Sequence, residues 1–375
     1  MKYIICPDSF KGSLDAMDFC KIASEEIYKR QKDSRIILMP LADGGEGTLD
    51  TMLYAMKGRI KSIRVTGPFF DDEVKADVGF FDDGKTAVIE SAKAMGLPLA
   101  GKRKNPLYTT TFGTGQMIKF AIEEGAERIL LTLGGSSTND LGCGSLCALG
   151  AKFFDKDNKA FIPIGATMGL VKSADFSELK KNISGINFTA MCDVTNPLCG
   201  KYGCARVFAP QKGADKKAVM QLEEGARTLC EVLHLEKFMD IPGSGAAGGL
   251  GFATLALLNG RLKSGIETIL DIYHFSEELS DCDYILTGEG SFDEQSMMGK
   301  TIGGIISRVK KCEKEKAHFP KLAVFCGINK VTDLSAFSQI QSINVISQNQ
   351  SLKYAMSHAK SNLRRSLSKW MDSLF

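Results

Sequence analysis

The sequence predicts an α/β fold in two parts, and three observations predict it. Short apolar runs alternate with helix-length amphipathic stretches near both ends of the chain, the rhythm of a parallel sheet. Each run ends abruptly in a small or acidic polar cluster: PDSFKGS, ADGGEGT, TGEGSFDEQ and CGINK. Between the two ends the rhythm breaks into strands separated by short turns. The chain's 375 residues also exceed what one ordinary core organises, so two domains are the default.

Taken in order, residues 3–6 read as a strand. Residues 14–29 read as a helix, with Leu14, Met17, Phe19, Ile22, Ala23 and Ile27 near helical spacing and Ser13 as its N-cap. A strand at 36–39 and a helix at 48–56 follow. Segments 61–65, 73–81 and 86–90 read as strands joined by short turns, which implies antiparallel pairing. The β-α rhythm returns with strands at 284–286, 321–325 and 342–346 and helices at 299–309, 336–340 and 352–371. Two units at the start and three at the end make five, enough for one flavodoxin-like parallel sheet. The expected organisation is therefore a discontinuous flavodoxin-like domain, 1–65 plus 280–375, with a second α/β domain of mixed sheet inserted at 66–279.

Composition narrows the function. The chain is 44% hydrophobic and 24% charged, with a net charge of +3 and Lys and Arg spread throughout, so neither nucleic acid nor a membrane surface is an expected partner. The first apolar run is stopped by Pro7 and Asp8 and does not read as a signal peptide. No stretch approaches a membrane span. Eleven cysteines show no C-x-x-C and no zinc spacing, which fits thiols in a reducing cytoplasm. The four histidines, His234, His274, His318 and His358, lie in no motif, so a general base is expected to be a carboxylate.

In an open parallel sheet, ligands bind beyond the carboxyl ends of the strands. Asp8, Ser9 and Lys11, the run Asp43-Gly44-Gly45, the stretch containing Glu289 and Asp293, and Gly327 to Lys330 all follow strands of the outer sheet and are expected along one edge. Glycine permits tight turns and close approach of a ligand, and the acids offer metal ligands or proton acceptors. The inserted segment adds TTTFGTGQMIKF and LGGSSTNDLGCG, each a hydroxyl- and glycine-rich loop running into a helix. Such loops suit phosphate, so Gly113, Thr114 and Gly115, and Gly134, Gly135, Ser136, Ser137, Thr138 and Asn139, are expected to hold a polyphosphate. Asp193 ends an apolar stretch with Arg206 and Lys212 nearby in sequence, either a structural ion pair or a catalytic carboxylate beside anion-binding cations. Two motifs fail. MMGKT ends like a P-loop, but Glu294 stands where its first glycine belongs; Gly243, Gly245 and Gly248 match GxGxxG after a weak strand and read as a turn into a helix.

PDSFKGSL, ADGGEGT, the GTG loop, GGSSTND, CDVTNPL, PQKGA, GAAGG and TGEG together resemble, in family order and over essentially the whole chain, the bacterial-type glycerate kinases related to the glycerate 2-kinases. The resemblance implies a two-domain kinase that transfers the ATP γ-phosphoryl group to D-glycerate with Mg²⁺. Within it, Asp193 is expected as base, Lys11 and Asp8 as further catalytic residues, and Ser9, Asp43, Gly44, Gly45, Arg206 and Lys212 as substrate contacts. Asp140, Glu289 and Asp293 are expected to hold the metal. Ser291 stands where the family commonly has Arg, Ala209 where it often has Gly, and Ser137 where Ala is usual. A kinase of another small hydroxy acid and a non-enzymatic flavin- or nucleotide-binding protein are the alternative readings.

Overall fold

The computed structural model describes residues 1–375 apart from 43, 46, 298–300, 314–319, 332–337 and 375. The chain divides into two units. One comprises Met1–Asp43, Asp50–Ala55 and Ile266–Phe375; the other comprises Gly44–Leu49 and Met56–Gly265. The fold class is the expected one, but the division runs earlier than 65. The strand Gly58–Thr66 pairs along its whole length with Glu73–Phe81, so its backbone hydrogen bonds commit it to the second unit.

The first unit is built on a five-stranded sheet in the order Ile340–Val345, Lys321–Asn329, Tyr284–Phe292, Lys2–Ile5, Arg35–Leu38, and every neighbouring pair is parallel. Numbered within the unit, that is the flavodoxin-like order, which reverses between Lys2–Ile5 and Tyr284–Phe292. Tyr3 to Ile5, Tyr284 to Leu286 and Leu322 to Cys326 are apolar and buried, the pattern of strands covered on both faces. Phe19 and Ile27 from helix Ala16–Arg30, and Leu363, Leu367 and Trp370 from helix Ala359–Asp372, pack with Tyr3, Tyr284 and Phe325 in one core.

Local chemistry moves two expected helix boundaries. Ser13 does not cap the first helix, because its hydroxyl donates to the Phe10 carbonyl at 2.9 Å inside a tight turn; Asp15 caps instead, accepting from the Asp18 N–H. The last helix is two, Leu352–Ser357 and Ala359–Asp372, broken at His358. Of the helix expected at 336–340, residues 336–337 lie outside the described residues, and Ile340 already opens the edge strand.

The second unit carries a six-stranded mixed sheet in the order Arg261–Lys263, Asn187–Met191, Arg128–Thr132, Thr86–Glu90, Glu73–Phe81, Gly58–Thr66. The first four strands are parallel to one another; Glu73–Phe81 runs antiparallel to both its neighbours. A small antiparallel sheet of Ala160–Phe161, Lys152–Phe154 and Ser173–Asp175 lies outside it. Gly243 to Gly249 form a turn before helix Leu250–Ala256, as the failed GxGxxG match implies.

Candidate active site

In the second unit, Glu90, Thr132, Met191 and Lys263 lie in register across the four parallel strands, so the loops beyond them leave along one edge. There the backbone is packed too closely for side chains. A Cβ on Gly134 would stand 2.7 Å from Gly45 Cα, and one on Gly265 would stand 2.8 Å from the Gly44 nitrogen and 2.9 Å from Asp193 Oδ2. Gly44 has φ +76°, a left-handed conformation that suits glycine, and its carbonyl accepts from the Gly134 N–H. Asp193 enters this junction directly. Its Oδ1 accepts from the Ser264 hydroxyl at 2.7 Å and from the Gly265 N–H at 2.9 Å, two bonds that set the orientation of the carboxylate. Gly44, Gly45, Gly134 and Asp193, scattered over 150 positions of sequence, thus meet in space. Asp43, between them in the expected site, lies outside the described residues.

Ser264 was not among the expected site residues, and neither was Glu90. Glu90 is 2% exposed at the end of the strand, and its Oε1 accepts from the Leu49 N–H at 2.9 Å just beyond the Gly44-Gly45 turn. An acid closing the run TAVIE was the available signal.

The loop from Gly134 to Asp140 is largely internal. Ser137, Thr138, Asn139 and Asp140 have no exposure, Ser136 is buried beside them, and Gly134 and Gly135 form the loop's reachable end. The Ser137 N–H and hydroxyl both donate to the Met95 carbonyl, and the Gly135 carbonyl accepts from the Leu97 N–H. Lys212 completes the hold. It is 2% exposed, and its ammonium donates to Ser136 Oγ at 2.8 Å and the Thr138 carbonyl at 2.7 Å. Burial drives its pKa down to about 8, a fall that the nearby Asp140 carboxylate opposes. Lys212, expected as a substrate contact, is in fact a buried brace of the loop.

Two more expectations are corrected. Gly113, Thr114 and Gly115 are not a phosphate loop: they are buried within helix Phe112–Glu123. A Cβ on Gly113 would fall 1.9 Å from the Thr66 carbonyl oxygen and one on Gly115 2.4 Å from that of Ser145, so both glycines serve close packing. Asp140 is not presented as a metal ligand. Its Oδ2 accepts from the Thr111 N–H and hydroxyl and the Gly144 N–H, and its Oδ1 from the Gly142 N–H. Burial raises its pKa and these bonds oppose the rise, so the carboxylate ties the two glycine loops together. Arg206 stands beside Glu223, at 3.9 Å, in a network that also includes Arg227. The packing reading makes a direct prediction. Gly113→Ala should cost about 3 kcal/mol of stability through overpacking and lower the melting temperature with KM values unchanged; a changed KM at wild-type stability would return the position to ligand binding.

In the first unit, the strands flanking the order reversal end in the remaining expected residues. Asp8 Oδ1 accepts from its neighbour's N–H, at Ser9, and Oδ2 from the Thr301 hydroxyl at 2.9 Å. With Ser9, Lys11, Glu289, Ser291 and Asp293 it lines a cavity of about 450 Å³. Ile328, Ile346, Leu352, Ala355 and Met356 line the same cavity. Among the described residues no three His, Cys, Asp or Glu side chains group as a metal cluster, and no helix is long and apolar enough to cross a membrane.

The profile of the Glycerate kinase family matches residues 3–374. The chain is 42% identical over 328 residues to a protein named glycerate kinase from Bacillus cereus, covering 86% of this chain and 84% of the relative. It is 40% identical to the glycerate 2-kinase of Escherichia coli, covering 84% and 83%. The crystal structure of a protein assigned as glycerate kinase 2 from Salmonella typhimurium LT2 superposes with a TM-score of 0.83 at 34% identity, covering 100% of this chain and 98% of that one.

Proposed function

The chain belongs to the glycerate kinase family, and from that premise we propose that it transfers the γ-phosphoryl group of ATP to the 2-hydroxyl of D-glycerate, giving 2-phosphoglycerate and ADP. The observation that carries the reading is Asp193, held by Ser264 and Gly265 against the Gly44-Gly45 and Gly134 turns. Phosphoryl transfer asks a protein mainly for positioning, cations and an acceptor for the hydroxyl proton. The bond from the glycerate oxygen to the γ-phosphorus forms as the bond from that phosphorus to the β,γ-bridging oxygen breaks. The hydroxyl proton passes to the Asp193 carboxylate, and ADP leaves.

Gly134, Gly135 and Ser136 are assigned an oxyanion of the reaction, since backbone N–H groups at a glycine turn suit one. Lys11, exposed on the cavity of the first unit, is assigned to the phosphates, with Ser9 and Asp8 beside it. Glu289 and Asp293 fit Mg²⁺. They are hard oxygen donors on one cavity, and Mg²⁺ is usually held by one or two carboxylates with waters and substrate phosphates completing its shell. Bound there, the ion supplies charge neutralisation on the polyphosphate. The 2-position follows the name of the Escherichia coli relative. A cytoplasmic setting suits both ATP chemistry and eleven free thiols.

A coupled ADP-release assay over a panel of small hydroxy acids tests the reading. D-glycerate with Mg-ATP should release ADP, EDTA should stop it, and phosphorus NMR should show the 2-phosphate. ADP release with another acid but not with glycerate would displace the acceptor, and a 3-phosphate would displace the regiochemistry.

A further inference from the structure

We propose that the cavity of the flavodoxin-like unit is the nucleotide site, with the adenosine of the donor on its apolar side and the polyphosphate on its charged side. The inference rests on the ATP-dependent reading above and adds where, and by which residues, the nucleoside is held.

The sheet order separates the two kinds of lining. Lys11, Glu289 and Asp293 follow the strands that flank the order reversal, Lys2–Ile5 and Tyr284–Phe292. Ile328 lies on the next strand outward and Ile346 directly follows the edge strand, while helix Leu352–Ser357 brings the Met356 methyl 3.2 Å from where a Cβ on Gly12 would stand. The cavity therefore carries its charged groups at the reversal and the apolar Ile328 and Ile346 toward the edge of the sheet. A three-carbon acid with a carboxylate and two hydroxyls has no use for the apolar half. A purine nucleoside joined to a polyphosphate matches both halves, and a cavity of about 450 Å³ falls in the range of sites that enclose ligands much larger than glycerate. The rim supports the same occupant. Ile328, Leu352 and Met356 are 43%, 66% and 37% exposed, an apolar cluster on solvent that needs a cover. A ligand at the order reversal of an open parallel sheet also lies where this architecture places ligands generally.

Gly290 makes the proposal testable without disturbing the fold. A Cβ there would meet nothing nearer than Phe10 Cα at 3.6 Å, so a side chain at 290 can enter the cavity. Isothermal titration of the full chain with ADP, without glycerate, should show binding to wild type and at least about tenfold weaker binding to Gly290→Leu. Ile328→Glu, which places a charge on the exposed apolar rim, should weaken ADP to a similar degree. In steady state the KM for ATP should rise in both variants while that for glycerate stays within about twofold. Unchanged ADP affinity in two folded variants, or a rise confined to the glycerate KM, would overturn the proposal. A wild-type chain that binds no ADP would overturn the ATP-dependent reading itself, a separate result.

Discussion

Asp193→Asn should lower kcat by about a hundredfold or more, the usual scale for loss of a general base, with little change in melting temperature. The geometry separates the two effects. The Ser264 hydroxyl and the Gly265 N–H both donate to Oδ1. An amide oxygen in the same place accepts both, so the junction with Gly44 and Gly134 keeps its form. What the amide lacks is charge and proton affinity. The KM values should therefore move much less than kcat, since the lost interaction is made in the transition state. Ser264→Ala is the companion measurement: it keeps the carboxylate and removes one of the groups that orient it, so kcat should fall by only about tenfold. A kcat within about threefold of wild type for Asp193→Asn would remove Asp193 from the base role. A collapse in stability would make the residue a structural brace.

The parts that were legible in the sequence are those dictated by local pattern. Apolar runs of four residues buried on both faces announce parallel strands, and residues such as Asp8 and Glu289 that follow them fall at the carboxyl edge because every connection in such a sheet returns to the same end. Asp193 was visible for the same reason, as an acid where an apolar strand stops. The misreadings occurred where a local motif has two physical uses. The string Gly113-Thr114-Gly115 offers bare backbone, but bare backbone serves a phosphate or a tightly packed neighbour equally, and only the Thr66 carbonyl decides between them. Asp140 and Lys212 have the residue types of a metal ligand and an anion contact. Their burial, set by chain segments far away in sequence, turns both inward as braces. Ser264 and Glu90 were missed because their partners, Asp193 and Leu49, lie 71 and 41 residues away.

Lys212 is also where pH should reach the site. Its ammonium faces Ser136 Oγ and the Thr138 carbonyl, with the Asp140 carboxylate and the Cys204 thiol as the ionisable groups that act on it. Burial pushes the Cys204 thiol up to about 12, so it stays neutral while Lys212, at about 8, titrates. The neutral amine still donates two hydrogens, so Ser136 and Thr138 remain held above pH 8. What is lost is the positive charge behind the reachable end of the loop, and with it attraction for an oxyanion at Gly134 to Ser136. The kcat/KM of wild type should therefore fall as pH rises through about 8. Lys212→Arg, charged across that range, should shift this limb upward, and Lys212→Met should reduce kcat/KM by about a hundredfold and abolish the limb. The stability effect has the opposite sign. A lysine whose folded pKa lies below its unfolded value of 10.5 costs stability at low pH, here about 3 kcal/mol, and that cost is relieved as pH rises from about 8 to 10.5. Relative to Lys212→Met, wild type should gain stability across this window in urea titrations, a comparison in which the ionisation of buried cysteines and tyrosines cancels. An alkaline limb that persists unchanged in Lys212→Met would assign it to another group, and a flat stability difference between the two proteins would mean that the ammonium is not held in the interior.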